Sequence, residues 1–586
     1  MNNKKLEWQY LVPDTAKFAD MFNKKYPHLI SPLTELQQRL MNCLKQLCHT
    51  RSPSRFLLIK AKEEEEYFKL IAETIKSIIP AHSKPIGGKY TITSVRIINW
   101  QQASTLEDNF AAKDVCTWQA WVEQEQLFGS LYCYKESINL QPGLVHYVNG
   151  GILLLGANTL VSQPLLWLRI KQMIIQQRFD WLPAKENIPL SIYIPSMPLN
   201  LRLIIIGDNE VLAALHTMEP DLLRLALYGE FELDKRINNA KDIAQWCSWV
   251  NTLAHRQGLQ ALHSDAWPEL IKQSVRYSGD QLKLPLCPHW LTRRLKESVL
   301  YCYNKVINAT ALYESYRTNI WCESYICESM QQDIAEGQIM VDTESKITGQ
   351  VNALSVLSFS GHPLLFGQPS RISCVVHFGD GEIHDVDSKA ELSGNLHTKG
   401  MMIMQAFLMS VLKLDRQLPF SASLVFEQSY EEIDGDSASL AELVALISAL
   451  ADQPVDQQIA ITGSVDQFGR VQSIGSINEK IEGFFTLCNT RGLTGNQGVI
   501  IPHTNIRHLC LNDHVIQEVR NNNFSIWPVN NIYDTLEILT AMPFSNEKRP
   551  NLIDCIRERI IKIQNRQERQ YLLPFGLRWL AKRVFY

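Results

Sequence analysis

No C-x-x-C pair occurs among the thirteen cysteines, and the closest pairs, Cys43 with Cys48 and Cys322 with Cys327, are five apart. That spacing argues against a paired-cysteine zinc site. The odd, scattered set also argues against a disulfide framework, so reduced thiols in a cytoplasmic protein are expected. There is no strong charge excess: 57 Lys and Arg face 61 Asp and Glu, for a net charge of −4. No global basic field therefore draws the chain to nucleic acid. No apolar run is long enough to span a membrane. The nearest, Gly151–Ile175, is interrupted by Asn158, Gln163, Arg169 and Lys171. The opening stretch, MNNKKLEWQYLVPDTAKF, has no apolar signal core. What remains is ordinary globular composition, 45% hydrophobic and 20% charged, over 586 residues, enough for three or four domains.

The most informative stretch is Glu431–Leu450, EEIDGDSASLAELVALISAL. Asp434-Gly435-Asp436 reads as a turn, with glycine permitting a sharp bend. The largely apolar run that follows, broken only by Ser439, Glu442 and Ser448, is too long for a buried strand and reads as a buried helix. Ser437 sits where turn becomes helix. Serine there is commonly an N-cap. The same place offers a hydroxyl beside free backbone N–H groups at the positive end of a helix dipole, where an oxyanion would be stabilised.

A second stretch gives the first its meaning. Ile459–Val465 reads as a strand, Asp466–Gly469 as a turn, and Ser476-x-x-Glu479 as a capping box that starts a helix at Ile477. Ile477, Ile481, Phe484, Phe485 and Cys488 share one helical face, with Lys480 at its edge. A lysine at such an edge usually snorkels into water. Held against apolar surface, it becomes a weaker base whose neutral form can take a proton from serine.

Together the two stretches resemble the proteolytic domain of Lon-type proteases. The D-G-x-S-A motif is matched by Asp434-Gly435-Asp436-Ser437-Ala438. The T-G stretch before the family lysine is matched by Thr462-Gly463, Gly469-Arg470-Val471 and Ile474-Gly475, with Lys480 in the lysine position. Ser476 departs from the pattern, because many members have glycine there. The resemblance implies a Ser-Lys dyad of Ser437 and Lys480, with Thr462 directing the lysine and Asp434 in a structural or gating role. It also implies a homohexameric ring that encloses a chamber for flexible or unfolded polypeptides. His377, His397, His503 and His508 are available for a Ser-His alternative, but none has a recognisable triad setting. Glu427, Glu431 and Glu432 lack the histidine spacing of a metal site and read as a solvated acidic rim.

The first half resembles an AAA+ nucleotide-binding domain without its phosphate chemistry. Arg55–Ala61 reads as a strand leading into a helix, yet the turn between them is Lys60-Ala61-Lys62 followed by Glu63–Glu66. Glycines would wrap phosphates there; four carboxylates repel them. Asn149–Leu160 looks like the second landmark, but Gly156-Ala157 replaces the acidic pair that would hold magnesium. Leu201–Gly207 reads as a further buried strand, and Asp221–Glu232 together with residues from about Asp242 to Arg317 resemble the helical lid. Ala111–Leu140 reads as an interruption, with Glu123–Gly129 as a plain surface helix or else a pore-facing or intersubunit segment. Six tryptophans, Trp167, Trp181, Trp246, Trp249, Trp267 and Trp290, read as core and interface.

The expected architecture is an α/β AAA+-like domain over residues 1–235, a helical lid over 236–330, an α+β Lon-type proteolytic domain over 331–545, and a basic amphipathic tail over 546–586. In that tail Ile553, Ile556, Ile560 and Ile563 recur at helical spacing with basic residues between them, a pattern that suits docking on the chain's own surface or on a neighbouring subunit more often than contact with anionic membrane or RNA. The expected function is a serine endopeptidase that needs no ATP or other cofactor and no metal. The alternatives are a non-hydrolytic adaptor or chaperone-like ring, which retention of both Ser437 and Lys480 opposes, and an ATP-dependent Lon protease, which the missing phosphate loop opposes.

Overall fold

The computed structural model describes residues 5–94, 97–134, 137–181, 192–302, 306–379, 382–389, 392–412, 420–428, 435–546 and 548–572. Asp434, Glu431, Glu432 and the last fourteen residues lie outside them.

The first half is built on a parallel sheet of five strands: Phe56–Lys60 (β1), Cys116–Gln119 (β2), Ile152–Gly156 (β3), Arg202–Gly207 (β4) and Ala226–Glu230 (β5), in the order β5-β1-β4-β3-β2. Its three central strands, β1, β4 and β3, are nearly continuous apolar runs because both faces are covered. Leu57, Ile59, Leu154, Ile204 and Ile206 enter one core, and Phe56, Leu58, Leu153, Leu203 and Ile205 enter another. Two expectations change here. The interruption at 111–140 supplies β2, the edge strand beside β3. Asp221–Glu232, expected in the helical lid, instead supplies β5, the strand beside β1. The short helix Gln124–Phe128 lies at the surface, with Gln124, Glu125 and Gln126 exposed and Leu127 and Phe128 buried as its anchor. A polar four-residue strand carries too little pattern to be read as part of a sheet.

Helix Glu65–Ile78 (α1) follows β1, and Ala157–Ser162 (α2) follows β3. A helical bundle comes next: Ala240–Arg256 (α3), Ala266–Ser278 (α4), Pro288–Val299 (α5), Ala309–Glu323 (α6) and Tyr325–Ala335 (α7). Trp246, Trp249 and Trp267 are buried in it, and the indoles of Trp246 and Trp249 donate to the carbonyls of Pro285 and Leu286.

The second half is a mixed seven-stranded sheet. Its strands are Gln350–Ser358 (β6), Leu365–Phe378 (β7), Ile383–Asp385 (β8), Phe420–Phe426 (β9), Ile459–Ile461 (β10), Gly498–Pro502 (β11) and Ser525–Val529 (β12), in the order β8-β9-β7-β6-β10-β11-β12. Helix Asn395–Leu412 (α8) packs against Ser439–Ala451 (α9), and α9 and Ile477–Arg491 (α10) pack on the sheet. Ile459, Ile461 and Ile500 face the core that holds α9; Ala460, Val499 and Ile501 face the core that holds α10. The two helices therefore lie on opposite faces, and the chain crosses between them at the end of β10. This is an α/β half followed by an α+β half.

Helix Leu552–Leu572 (α11) belongs to this second core. Ile553, Ile556 and Ile560 are buried against α9, and Arg559 donates to the carbonyls of Ala449 and Leu450 at the C-terminal end of that helix. The start of the basic tail thus docks on its own chain. Among the described residues no helix is long and apolar enough to cross a membrane.

Candidate functional site

The site forms where β10 ends. Thr462 and Gly463 leave the strand there, with the first residues of α9 on one side and the first turn of α10 on the other. Gly463 N–H donates to the Ser437 carbonyl at 2.9 Å, and Leu440 N–H donates to the Gly463 carbonyl at 3.2 Å. These two bonds staple the serine turn to the strand end. The helix begins at Ser439, so Ser437 precedes it by two residues. Ser437 is not the cap: its hydroxyl lies 2.9 Å from Lys480 Nζ.

Lys480 enters from the first turn of α10. Its side chain is 4% exposed, and Nζ lies 3.3 Å from Thr462 Oγ1. Thr462 is fully buried and its hydroxyl also reaches the Ser437 carbonyl, at 3.4 Å. Burial pushes the Lys480 ammonium down from 10.5 to about 8, while the charge of Asp436 pulls the other way. A neutral amine is thus accessible near neutral pH beside a serine hydroxyl, the arrangement needed to take the hydroxyl proton. Asp436 is in turn held by Ser464, whose hydroxyl donates to it at 2.9 Å. Sequence reasoning gave Asp436 no charge role, although it stands next to Ser437.

The approach of α10 to the sheet depends on two glycines. A β-carbon at Gly367 in β7 would run into the Glu479 carbonyl, and one at Gly483 would run into the Gly367 carbonyl. The expected capping box is absent. Ser476 has φ +51°, in the left-handed region, and makes no side-chain cap. Glu479 instead meets Arg276 of α4 at 2.9 Å. The left-handed angle accounts for glycine as the common family residue at this position.

The remaining candidates are placed elsewhere. Glu427 accepts from Ser373 Oγ at 2.6 Å, and His508 Nδ1 lies 3.1 Å from Asn505 Nδ2. No group of three or more His, Cys, Asp or Glu among the described residues is arranged to hold a metal ion. His397, on α8, is buried with Nε2 3.1 Å from Asp385 and 3.5 Å from Glu442 on α9. Asp387 lies beside them and accepts the Phe426 N–H at 2.9 Å. The cluster pins α8 to α9, and a β-carbon at Gly400 of α8 would come into ordinary contact with Asp436 and Ser439.

Burial raises the Glu442 carboxyl to about 7, with His397 lowering it and Asp385 and Asp387 raising it further. Burial lowers His397, but Asp385 and Glu442 outweigh it and its net shift is upward. Both groups bind protons more tightly folded than unfolded. Their contribution is complete below the unfolded values and is lost as pH rises through the folded ones. Glu442→Gln is therefore expected to gain in Tm relative to the parent as pH rises from 5 to 8. Parallel Tm curves in scanning calorimetry would contradict this.

The nucleotide-like layout of the first half has its own geometry. Glu63 Oε1 accepts the N–H of Asn158 at 2.9 Å, at the first turn of α2. A β-carbon at Gly156 would run into the other Glu63 oxygen, so that glycine makes room for the carboxylate. Burial raises the Glu63 pKa. A protein carboxylate thus takes a helix-end donor of the kind that phosphate uses elsewhere.

Comparison with known proteins agrees with the two halves. The family model of the LonB-like AAA domain matches residues 120–227, and that of the Lon protease (S16) C-terminal proteolytic domain matches residues 431–541. A protein of Escherichia coli (strain K12) named as a Lon protease homolog is 49% identical over 584 residues, 99% of each chain. One of the same name from Haemophilus influenzae is 43% identical over 509 residues, 85% of this chain and 84% of the other. An archaeal Lon protease from Methanocaldococcus jannaschii is 49% identical over 81 residues, 14% of this chain and 11% of its own. With its parallel α/β half, its mixed-sheet half and a near full-length relative at this identity, the chain belongs to the Lon protease family.

Proposed function

We propose that the chain is a serine endopeptidase that cleaves flexible or unfolded polypeptides with Ser437 as nucleophile and Lys480 as general base, without ATP. The observation that carries this reading is the 2.9 Å approach of Ser437 Oγ to a lysine buried to 4% exposure with its pKa lowered to about 8. Neutral Lys480 takes the hydroxyl proton as Oγ attacks the scissile carbonyl carbon. Backbone N–H groups around Asp436–Ala438 stabilise the oxyanion. The Lys480 ammonium then returns the proton to the leaving amine, and the C–N bond breaks to leave an acyl-enzyme. Water, deprotonated by Lys480, attacks that ester, and the proton goes back to Ser437 Oγ. Thr462 holds Nζ toward the hydroxyl. Asp434 keeps the structural or gating role that its motif position implies.

The residues at the nucleotide-like layout do not fit ATP. Lys60-Ala61-Lys62 has no glycine to wrap a phosphate, Glu63 occupies the donor at Asn158, and Gly156-Ala157 offers no magnesium ligand. No step is routed through a nucleotide. A cytoplasmic homohexameric ring with an enclosed chamber completes the reading, by likeness to the family.

The test is digestion of unfolded casein by the parent and by Ser437→Ala, each with and without magnesium-ATP. The parent is expected to cleave equally in both conditions and the variant in neither. Cleavage that requires ATP, or that survives the substitution, would overturn the reading.

A further inference from the structure

Lys480 is held from behind by the helical bundle of the other half of the chain. Arg276, in the last turn of α4, reaches α10 and holds both oxygens of Glu482, at 2.8 and 2.7 Å. The same guanidinium lies 2.9 Å from Glu479 Oε1 and donates to the Cys510 carbonyl at 2.9 Å. Glu482 also accepts the Asn512 N–H at 2.9 Å. Beside this cluster Lys272 of α4 meets Asp513 at 2.5 Å. The three side chains of the cluster are each only about one-fifth exposed, so the charges interact with little screening.

Glu479 and Glu482 bracket Lys480 in sequence, one residue before it and two after. At a helical step of about 100° per residue both point away from the lysine's direction. Lys480 faces the serine; the two carboxylates face α4. The helix is thus gripped from α4, while Gly367 and Gly483 let it lie against β7. The charged groups around the base are few. Asp436 acts on Lys480 directly, Glu479 and Glu482 share its helix, and Arg276 comes from α4. Tyr316, the Cys510 thiol, Cys327, Arg294 of α5, and Lys272 and Glu269 of α4 are further titratable or charged groups around this cluster.

We propose that Arg276 is a positioning residue for peptide cleavage: from the helical bundle it holds the first turn of α10 and neutralises the two carboxylates that flank the base. The inference rests on the Ser437–Lys480 reading. It assigns the first half of the chain a part in catalysis that needs no nucleotide. Loss of Arg276 leaves two unpaired carboxylates on the lysine's own helix and loosens the helix that keeps the amine dry. Both effects favour the ammonium, so the base is neutral only at higher pH. Loss of the two carboxylates with Arg276 kept has the opposite sign, because an unpaired cation then disfavours the ammonium.

The experiment is the pH dependence of peptide hydrolysis from pH 6 to 10, with the full chain as parent, Arg276→Ala and the double variant Glu479→Gln/Glu482→Gln. Circular dichroism checks folding. For Arg276→Ala the midpoint is expected to rise by at least about half a pH unit, lowering the rate at pH 7 about threefold from ionisation alone. For the double variant the midpoint is expected to fall. A structural role alone lowers the folded fraction and moves neither midpoint. Unchanged midpoints, or shifts of the same sign, overturn the inference. If Arg276→Ala does not fold, the double variant decides by itself: a fall supports the proposal, and no change or a rise overturns it. Ser437→Ala is run alongside. Activity that survives it refutes the dyad, whereas loss of activity there with unmoved midpoints refutes only the role of Arg276.

Discussion

Lys480→Ala and Ser437→Ala are each expected to lower peptide cleavage by on the order of 10³-fold or more, and the double variant to be no worse than either single one. Residues that act as one unit fail together, because a nucleophile without its base and a base without its nucleophile are equally idle. Lys480→Arg should fail as well, since a guanidinium stays charged throughout the working range. Thr462→Val should cost less, about tenfold, because it orients the base without receiving the proton. In the parent the rate should rise with pH through about 8, where burial sets the Lys480 ionisation. Burial of this amine also has a stability cost. Its folded pKa lies below its unfolded value, so the cost is full below about pH 8 and is relieved as pH rises toward 10.5. The shift corresponds to about 3 kcal/mol. Lys480→Met should therefore be inactive yet melt higher than the parent at pH 7. Initial rates and calorimetry on the same preparations check both halves. An active Lys480→Ala would remove the base assignment.

Cleavage of a folded substrate is expected to fall about tenfold for each ~1.4 kcal/mol of added substrate stability. In the proposed ATP-independent reading, nothing supplies work to pull apart a domain stable by roughly 5–15 kcal/mol. The peptidase then acts only on the fraction that opens spontaneously. One small domain with graded destabilising substitutions, digested at fixed enzyme concentration, spans several decades in open fraction. Log rate should track substrate stability with unit slope, and magnesium-ATP should not alter it. A stable substrate cut as fast as its unfolded variant would contradict passive selection, and so would rescue by ATP.

The legible parts of the fold are those written in local pattern. The runs Phe56–Lys60 and Arg202–Gly207 are apolar at every position or nearly so, as strands covered on both faces must be. The Ala- and Leu-rich stretch after Ser437 is a helix buried along its whole length, and Ile477 does open the second helix. Its expected cap fails because Ser476 adopts a left-handed angle, which a serine in a sequence does not announce. Edge strand Cys116–Gln119 has only four residues and takes its place from β3, not from its own alternation. For the candidate site, Ser437, Lys480 and Thr462 stand in motifs that can be read directly. Arg276 cannot be read that way, since it lies 206 residues from Glu482 and nothing local marks it. Glu442 looks like an accident inside an apolar helix until His397 and Asp385 are seen beside it. Long-range charge pairing leaves no period in a sequence, so tertiary ion clusters are where reading from residues alone stops.

The most direct measurement is the labelling of the protein by an irreversible serine-directed phosphonate as a function of pH, with the modified residue located by mass spectrometry. It tests nucleophile and base together, without any substrate or cofactor. One label per chain is expected, on Ser437, with a rate that rises through about pH 8 in the parent and is lost in Lys480→Ala. Labelling at another residue, or a Ser437 rate indifferent to pH and to Lys480, would contradict it.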